Sequence, residues 1–210
     1  PVQGRIALKP RAPPACLSIG LKTLCRPSPN RPVEPKNAMK KLLPPLVVAA
    51  ALAGLNLRAA DWPQWRGPGR KDHSPDKGLL QEWPASGPKQ VWLFKNAGLG
   101  YSGYSIVGDR LFTMGLREGQ EHLIAINTKD GTELWKANAG EKYPNNWGDG
   151  PRMTPTVDDD RVYAIGGNGL VICSQVSDGK ILWQKSLTKD LGGIRQDWGF
   201  TESPLIVGDK

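Results

Sequence analysis

The chain repeats itself at an interval near fifty residues, and that period limits its possible folds more than any other feature. Ala125 to Trp135 reads Ala-Ile-Asn-Thr-Lys-Asp-Gly-Thr-Glu-Leu-Trp. Cys173 to Trp183, forty-eight residues on, is a second copy in which Asp178, Gly179, Leu182 and Trp183 fall on Asp130, Gly131, Leu134 and Trp135. Upstream, Ser105-Ile106-Val107-Gly108-Asp109-Arg110-Leu111-Phe112 corresponds to Pro155-Thr156-Val157-Asp158-Asp159-Asp160-Arg161-Val162-Tyr163. This matches Val107 with Val157 and requires one inserted residue in the second turn. A third copy begins at Ser203-Pro204-Leu205-Ile206-Val207-Gly208-Asp209-Lys210. Short apolar runs separated by Gly/Asp turns at this period mark a repeated four-stranded unit.

The residues of one unit specify its strands. Ile106-Val107 and the run Leu111 to Met114 flank Gly108-Asp109-Arg110, a tight turn in which Gly108 takes positive φ without a Cβ clash. The run Leu123 to Ile126 follows the polar link Arg117 to Gln120, and Asp130-Gly131 turns the chain into Glu133-Leu134-Trp135. Four antiparallel strands of this kind, read as four to six residues each, make a sheet too small to bury both faces alone. Each unit must therefore stack against a neighbour of the same kind. The expected fold is all-β, part of a β-propeller with about two complete four-stranded blades plus partial blades. Gly131, Trp135, Gly179 and Trp183 are the expected blade-docking residues. Burying one indole removes roughly 200 Å² from water, an upper bound on the order of 5 kcal/mol.

The pattern Ala-x-Asp-x-x-Thr-Gly-x-x-x-Trp resembles the tryptophan docking motif of the pyrroloquinoline-quinone-like propellers, a family that includes quinoprotein dehydrogenases and the propeller lipoprotein of outer-membrane assembly. Asn127 and Gln175 stand where the motif has Asp, and Asp130 and Asp178 where it has Thr; the Gly and Trp are kept in both copies. The resemblance covers about Asp61 to Lys210. It implies an exported, non-catalytic propeller acting as a binding or scaffold module. One alternative is a quinoprotein oxidoreductase that uses pyrroloquinoline quinone (PQQ) with calcium and whose cofactor site lies largely in blades outside this sequence. Another is a carbohydrate-binding propeller. The family's quinone enzymes use a vicinal Cys pair, a Trp floor, calcium-binding carboxylate and amide groups, and a catalytic Asp. This sequence has no vicinal Cys pair, so no catalytic, cofactor-binding or metal-binding residue is assigned to it.

Charge divides the chain. Residues 1–60 carry a net +9 and residues 61–210 a net −1, so the overall +8 lies outside the repeats. A nucleic-acid partner, which would need that excess on the folded part, is excluded. Residues 1–38, Pro-rich and aperiodic, read as a disordered extension or as sequence upstream of the true start. Met39-Lys40-Lys41, the apolar run Leu42 to Leu55 and Arg58-Ala59-Ala60 make residues 39–60 a signal peptide, followed by an exported, periplasmic or extracellular chain. The apolar run is too short for a membrane span, which needs about 20 residues. Residues 61–87 form a Trp/Pro-rich segment expected to lie extended along the propeller rim, and residues 88–210 hold the repeats. Gln90 to Phe94 reads as one strand, the last of a blade completed by chain from elsewhere. A closed ring needs at least four blades, so the sequence is expected to be a piece that aggregates when isolated.

Function in such a fold is expected in the loops joining the outer strand of one blade to the inner strand of the next, which crowd one mouth of the central channel. Glu141 to Met153 carries Trp147, Asp149 and Arg152; Leu187 to Thr201 carries Arg195, Asp197 and Trp198. These six are the candidate ligand-binding residues, a set of aromatic and charged groups suited to a protein or polysaccharide partner. The simpler alternative is that each Trp caps its own blade. Asp158-Asp159-Asp160 reads as a solvated hairpin rather than a calcium site, and Gly166-Gly167-Asn168-Gly169 as a turn rather than a phosphate loop. Cys173 reads as a buried, inert thiol.

Overall fold

In a computed structural model, residues 59–208 and 210 are described. The N-terminal extension and the apolar leader lie outside the described residues. Strands β1 (Ser105–Val107), β2 (Arg110–Arg117), β3 (Gln120–Asn127) and β4 (Glu133–Glu141) form one antiparallel sheet in chain order. A second sheet of the same order contains β5 (Thr156–Asp158), β6 (Arg161–Ile165), β7 (Leu170–Gln175) and β8 (Ile181–Ser186). These are two four-stranded blades of a β-propeller, and a 3-10 turn at Pro68–Arg70 is the one helical element among the described residues.

The first hairpins correct the sequence alignment. Val107 pairs with Arg110 and Asp158 with Arg161, so both turns contain two residues and no insertion is needed. The counterpart of Val157 is Ile106. Asp159 takes φ 50° where the first copy has Gly108 at φ 67°. Asp is among the few side chains that enter the left-handed region at modest cost, which is why Gly and Asp interchange here. The second blade is shorter one hairpin later: β2 and β3 pair from Arg110↔Asn127 to Arg117↔Gln120, whereas β6 and β7 pair only from Arg161↔Gln175 to Ile165↔Val171. That trims the spacing from fifty-one at the first turn to forty-eight at the Asp-Gly turn. The third copy adopts the same hairpin, with Val207 N–H donating to the Lys210 carbonyl at 2.7 Å and Gly208 at φ 62°.

Blade stacking follows from strand parity, since alternate residues face one side of a sheet. Phe112, Met114, Leu123, Ala125, Ala137 and Ala139 on one face of the first blade form a single core with Met153, Val157, Val162, Ala164 and Ile172 of the second. At the outer end of this interface Trp135 lies flat on Gly179. A Cβ on that glycine would come within 2.4 Å of the indole, and the indole Nε1–H donates to the Val176 carbonyl at 3.1 Å. Trp92 repeats the arrangement one blade earlier, covering Gly131 and donating to the Thr128 carbonyl at 2.7 Å. A second close approach also recurs: the Ala97 carbonyl sits against Gly115, and the Ala139 carbonyl lies 2.3 Å from where a Gly166 Cβ would stand. Two tight spots per interface, one under an indole and one under a carbonyl, leave no room for any side chain but hydrogen.

Residues 90–94 differ from expectation: they form no strand, because no described segment pairs with them. They still alternate exposed and half-buried residues, with Trp92 and Phe94 facing the first blade. The segment after Ala60 also lies elsewhere than expected, at the inner edge of the blades rather than the rim. Val107 and Arg110 close the first hairpin, so the N–H and C=O of Ile106 point away from β2. Trp62 takes both, at 2.8 and 2.7 Å, and the Pro63 carbonyl accepts from Val157 N–H at 2.8 Å. Asp61 Oδ1 accepts from Gly108 N–H at 2.9 Å, and Arg70 donates to the Ser203 and Pro204 carbonyls. Residues 61–70 thus clasp the innermost strands of both blades and the start of the third copy.

Candidate functional site

The two loops between outer and inner strands are built on one turn. Gly148 N–H donates to the Asn145 carbonyl and Gly199 N–H to the Gln196 carbonyl, both at 2.9 Å. Asn145-Asn146-Trp147-Gly148 and Gln196-Asp197-Trp198-Gly199 are therefore equivalent turns, each with its Trp at the third position. Each also rests on a tyrosine from one blade earlier. The Tyr101 hydroxyl donates to the Trp147 carbonyl at 2.5 Å, and the Tyr143 hydroxyl donates to the Asp197 carbonyl.

This register brings the two indoles together. Trp147 and Trp198 have centroids 6.2 Å apart with ring planes inclined by 33°. Both remain open to solvent, at 75% and 54% exposure. Beside them is a cleft of about 520 Å³ whose lining includes Asn146, Trp147, Arg195, Gln196, Asp197 and Trp198.

Of the six residues singled out in the sequence, four line this cleft and two do not. Arg152 turns inward: its guanidinium donates to the Gly148 and Gly150 carbonyls at 2.7 Å each and lies 5.3 and 5.1 Å from the rings of Tyr101 and Tyr143. Asp149 accepts from Asn145 N–H at 3.0 Å and from Lys142 Nζ at 2.5 Å, and the Lys142 contact holds its carboxyl below the usual range. Both residues shape the first loop from within. Arg195 is held over Tyr143 at 5.4 Å and donates to Asn168 Oδ1 at 2.5 Å.

The frame is completed by residues the sequence did not single out. Asn145 Nδ2 donates to the Asp197 carbonyl at 2.8 Å while its Oδ1 accepts from Trp147 N–H at 2.9 Å, so one amide ties the two turns to each other. Glu121, fully buried in β3, accepts from Tyr143 N–H at 3.1 Å and from Gly167 N–H at 2.7 Å. Burial pushes its carboxyl above the ordinary range, and the two amides only partly offset that. Its signal was parity: Glu121 falls on the same face as Leu123 and Ala125, where an acid must find partners.

The cleft offers one carboxylate, Asp197, and among the described residues no three His, Cys, Asp or Glu side chains gather where a metal ion could be held. Asp158, Asp159 and Asp160 lie exposed around the β5–β6 turn, and Gly166–Gly169 forms the β6–β7 turn.

The family described as outer membrane protein assembly factor BamB matches residues 86–210, more than half of the chain. The chain belongs to that family. Among solved structures, it is similar to BamB from Moraxella catarrhalis at 17% identity, over 47% of this chain and 28% of that one, with a TM-score of 0.35. It is also similar to the quinohemoprotein alcohol dehydrogenase of Comamonas testosteroni (14% identity, 70% of this chain and 22% of that one, TM-score 0.49). A third is the quinohemoprotein alcohol dehydrogenase ADHIIG of Pseudomonas putida HK5 (16% identity, 56% of this chain and 17% of that one, TM-score 0.42). The chain spans between 17% and 28% of the length of these proteins. No curated protein matches it. Trp135 and Trp92 are docked on glycines of the following blade. The paired indoles of the loops are docked on no glycine among the described residues.

Proposed function

We propose that this chain is part of an exported propeller that acts as a binding or scaffold module, without catalysis, and meets its macromolecular partner on the loop face carrying Trp147 and Trp198. The observation that supports this reading is the contrast between two kinds of tryptophan. Trp92 and Trp135 are half-buried and hydrogen-bonded into the next blade, whereas Trp147 and Trp198 stand open on loops whose turns are already hydrogen-bonded. Large exposed aromatic groups on a rigid frame suit recognition. The family's description as an assembly factor points the same way, since assembly proceeds through macromolecular contacts. Export rests on the Met39 to Ala60 pattern, and among the described residues no helix is long and apolar enough to cross a membrane.

The reading is tested by titrating the full-length protein that carries this chain with pyrroloquinoline quinone and calcium while following quinone absorbance and dye reduction. A flat titration supports a module without redox chemistry. Saturable absorbance changes accompanied by dye reduction overturn it in favour of a quinoprotein oxidoreductase. Fusion of residues 39–60 to a reporter active only outside the cytoplasm tests export, and an inactive reporter removes that part of the proposal.

A further inference from the structure

The geometry points to a neutral oligosaccharide as the ligand of the Trp147–Trp198 cleft, an assignment that deepens the binding-module reading and rests on it. Three properties of the cleft converge. Its two indoles, with centroids 6.2 Å apart and planes inclined by 33°, are each more than half exposed and offer an aromatic platform for the C–H faces of pyranose rings. Next to this platform, the side chains of Asn146, Gln196 and Asp197 form no hydrogen bond with other described residues. Planar amides and a carboxylate supply paired donors and acceptors, the complement of vicinal hydroxyls.

The charges decide between neutral and ionic ligands. Arg195 and Asp197 bring opposite signs to the same cleft, so neither an anionic nor a cationic chain gains from the whole site. A volume of about 520 Å³ lies within the range of small-ligand pockets. An open sheet edge, an apolar helix-binding groove and a cluster of like charges, three of the modes by which peptides are recognised, are absent from the described residues of this cleft, which has amides and tilted rings instead. An extended Pro-rich peptide, which docks in an aromatic-lined groove, is the competing occupant that the test below decides.

Preorganisation strengthens the case. Asn145 ties the Trp147 backbone to the Asp197 carbonyl, and the Tyr143 hydroxyl donates to that same carbonyl. The two turns that carry the indoles are therefore tied to each other before any ligand arrives, which reduces the ordering cost of binding.

The test is a titration of the full chain with a neutral hexasaccharide of glucose and one of N-acetylglucosamine, followed by indole fluorescence and by calorimetry. Saturable binding of either is expected, weakened about tenfold by Trp147→Ala or by Trp198→Ala. Gln196→Ala and Asn146→Ala should weaken it a few-fold at an unchanged melting temperature, which separates ligand contact from folding. Absence of saturable binding to both sugars overturns the assignment. So does binding that survives in the double Trp variant, or displacement of the bound sugar by a mixture of unfolded peptides. None of those outcomes alters the quinone titration, so the broader reading can stand or fall separately.

Discussion

Glu121 shows what a single buried charge does in this molecule. Its two oxygens accept amide protons from the first loop and from the β6–β7 turn, joining β3 to elements of both blades. Because burial raises its pKa in the folded state, the folded chain holds this proton more tightly than the unfolded chain does. Its contribution to stability is therefore fully present below the ordinary carboxyl value of 4.5 and is lost as pH rises through the raised value. Urea midpoints measured from mildly acidic to neutral pH should fall for the native chain over that window. In Glu121→Gln the slope from this group should disappear, and the variant should be less stable by about 1–3 kcal/mol at mildly acidic pH, because one amide then faces an NH₂ donor, with the gap narrowing toward neutral pH. An unchanged slope would assign the pH dependence to other groups. Cys173 gives a second readout at this scale: fully buried, with its thiol pushed up by burial, it should react with a thiol reagent only as fast as the blade opens.

Between elements, stability is concentrated where an indole or a carbonyl meets a glycine. Trp135 is docked on Gly179 and hydrogen-bonded to the Val176 carbonyl, and Trp92 repeats the contact on Gly131. Trp135→Ala should cost about 2–4 kcal/mol in chemical denaturation of this chain. Gly166→Ala should be at least as damaging as Trp135→Ala, because the obstructing atom is a backbone carbonyl that cannot rotate away. A loss below about 1 kcal/mol for Trp135→Ala would mean that docking contributes little. The strands and their order were legible in the sequence because alternating apolar runs and Asp-Gly turns are local signals. The first-turn register was not, since Val-Gly-Asp and Val-Asp-Asp-Asp can be superposed on either valine and only the Asp158↔Arg161 pairing selects one. In the loops, the tryptophan spacing was legible, but the inward turn of Arg152 was not. It depends on carbonyls of Gly148 and Gly150 and on two tyrosine rings, none of which leaves a pattern in the side-chain sequence.

At the scale of the molecule, repeats of this kind interact mainly with their immediate neighbours, so their stability is close to a sum of blade and interface terms. The Asp61–Arg70 clasp departs from that scheme. It covers the open inner edges of β1 and β5, where unpaired N–H and C=O groups would otherwise invite edge-to-edge association. Pro63 fits the crossing because it supplies a carbonyl to Val157 and has no N–H to leave unpaired. The clasp also reaches Ser203 and Pro204 through Arg70, linking three repeats with one short segment. Hydrogen exchange can isolate this contribution. The amides of Ile106 and Val157 bond to Trp62 and Pro63, while that of Val176 bonds to Asp160 and is independent of the clasp. Removing residues up to Arg70 should therefore speed exchange at Ile106 and Val157 by at least about tenfold, leave Val176 close to its original rate, and increase light scattering on concentration. Slow exchange at both inner-edge amides in the truncated chain would show that the blades protect those edges unaided, and the clasp would then have no part in holding the repeats together.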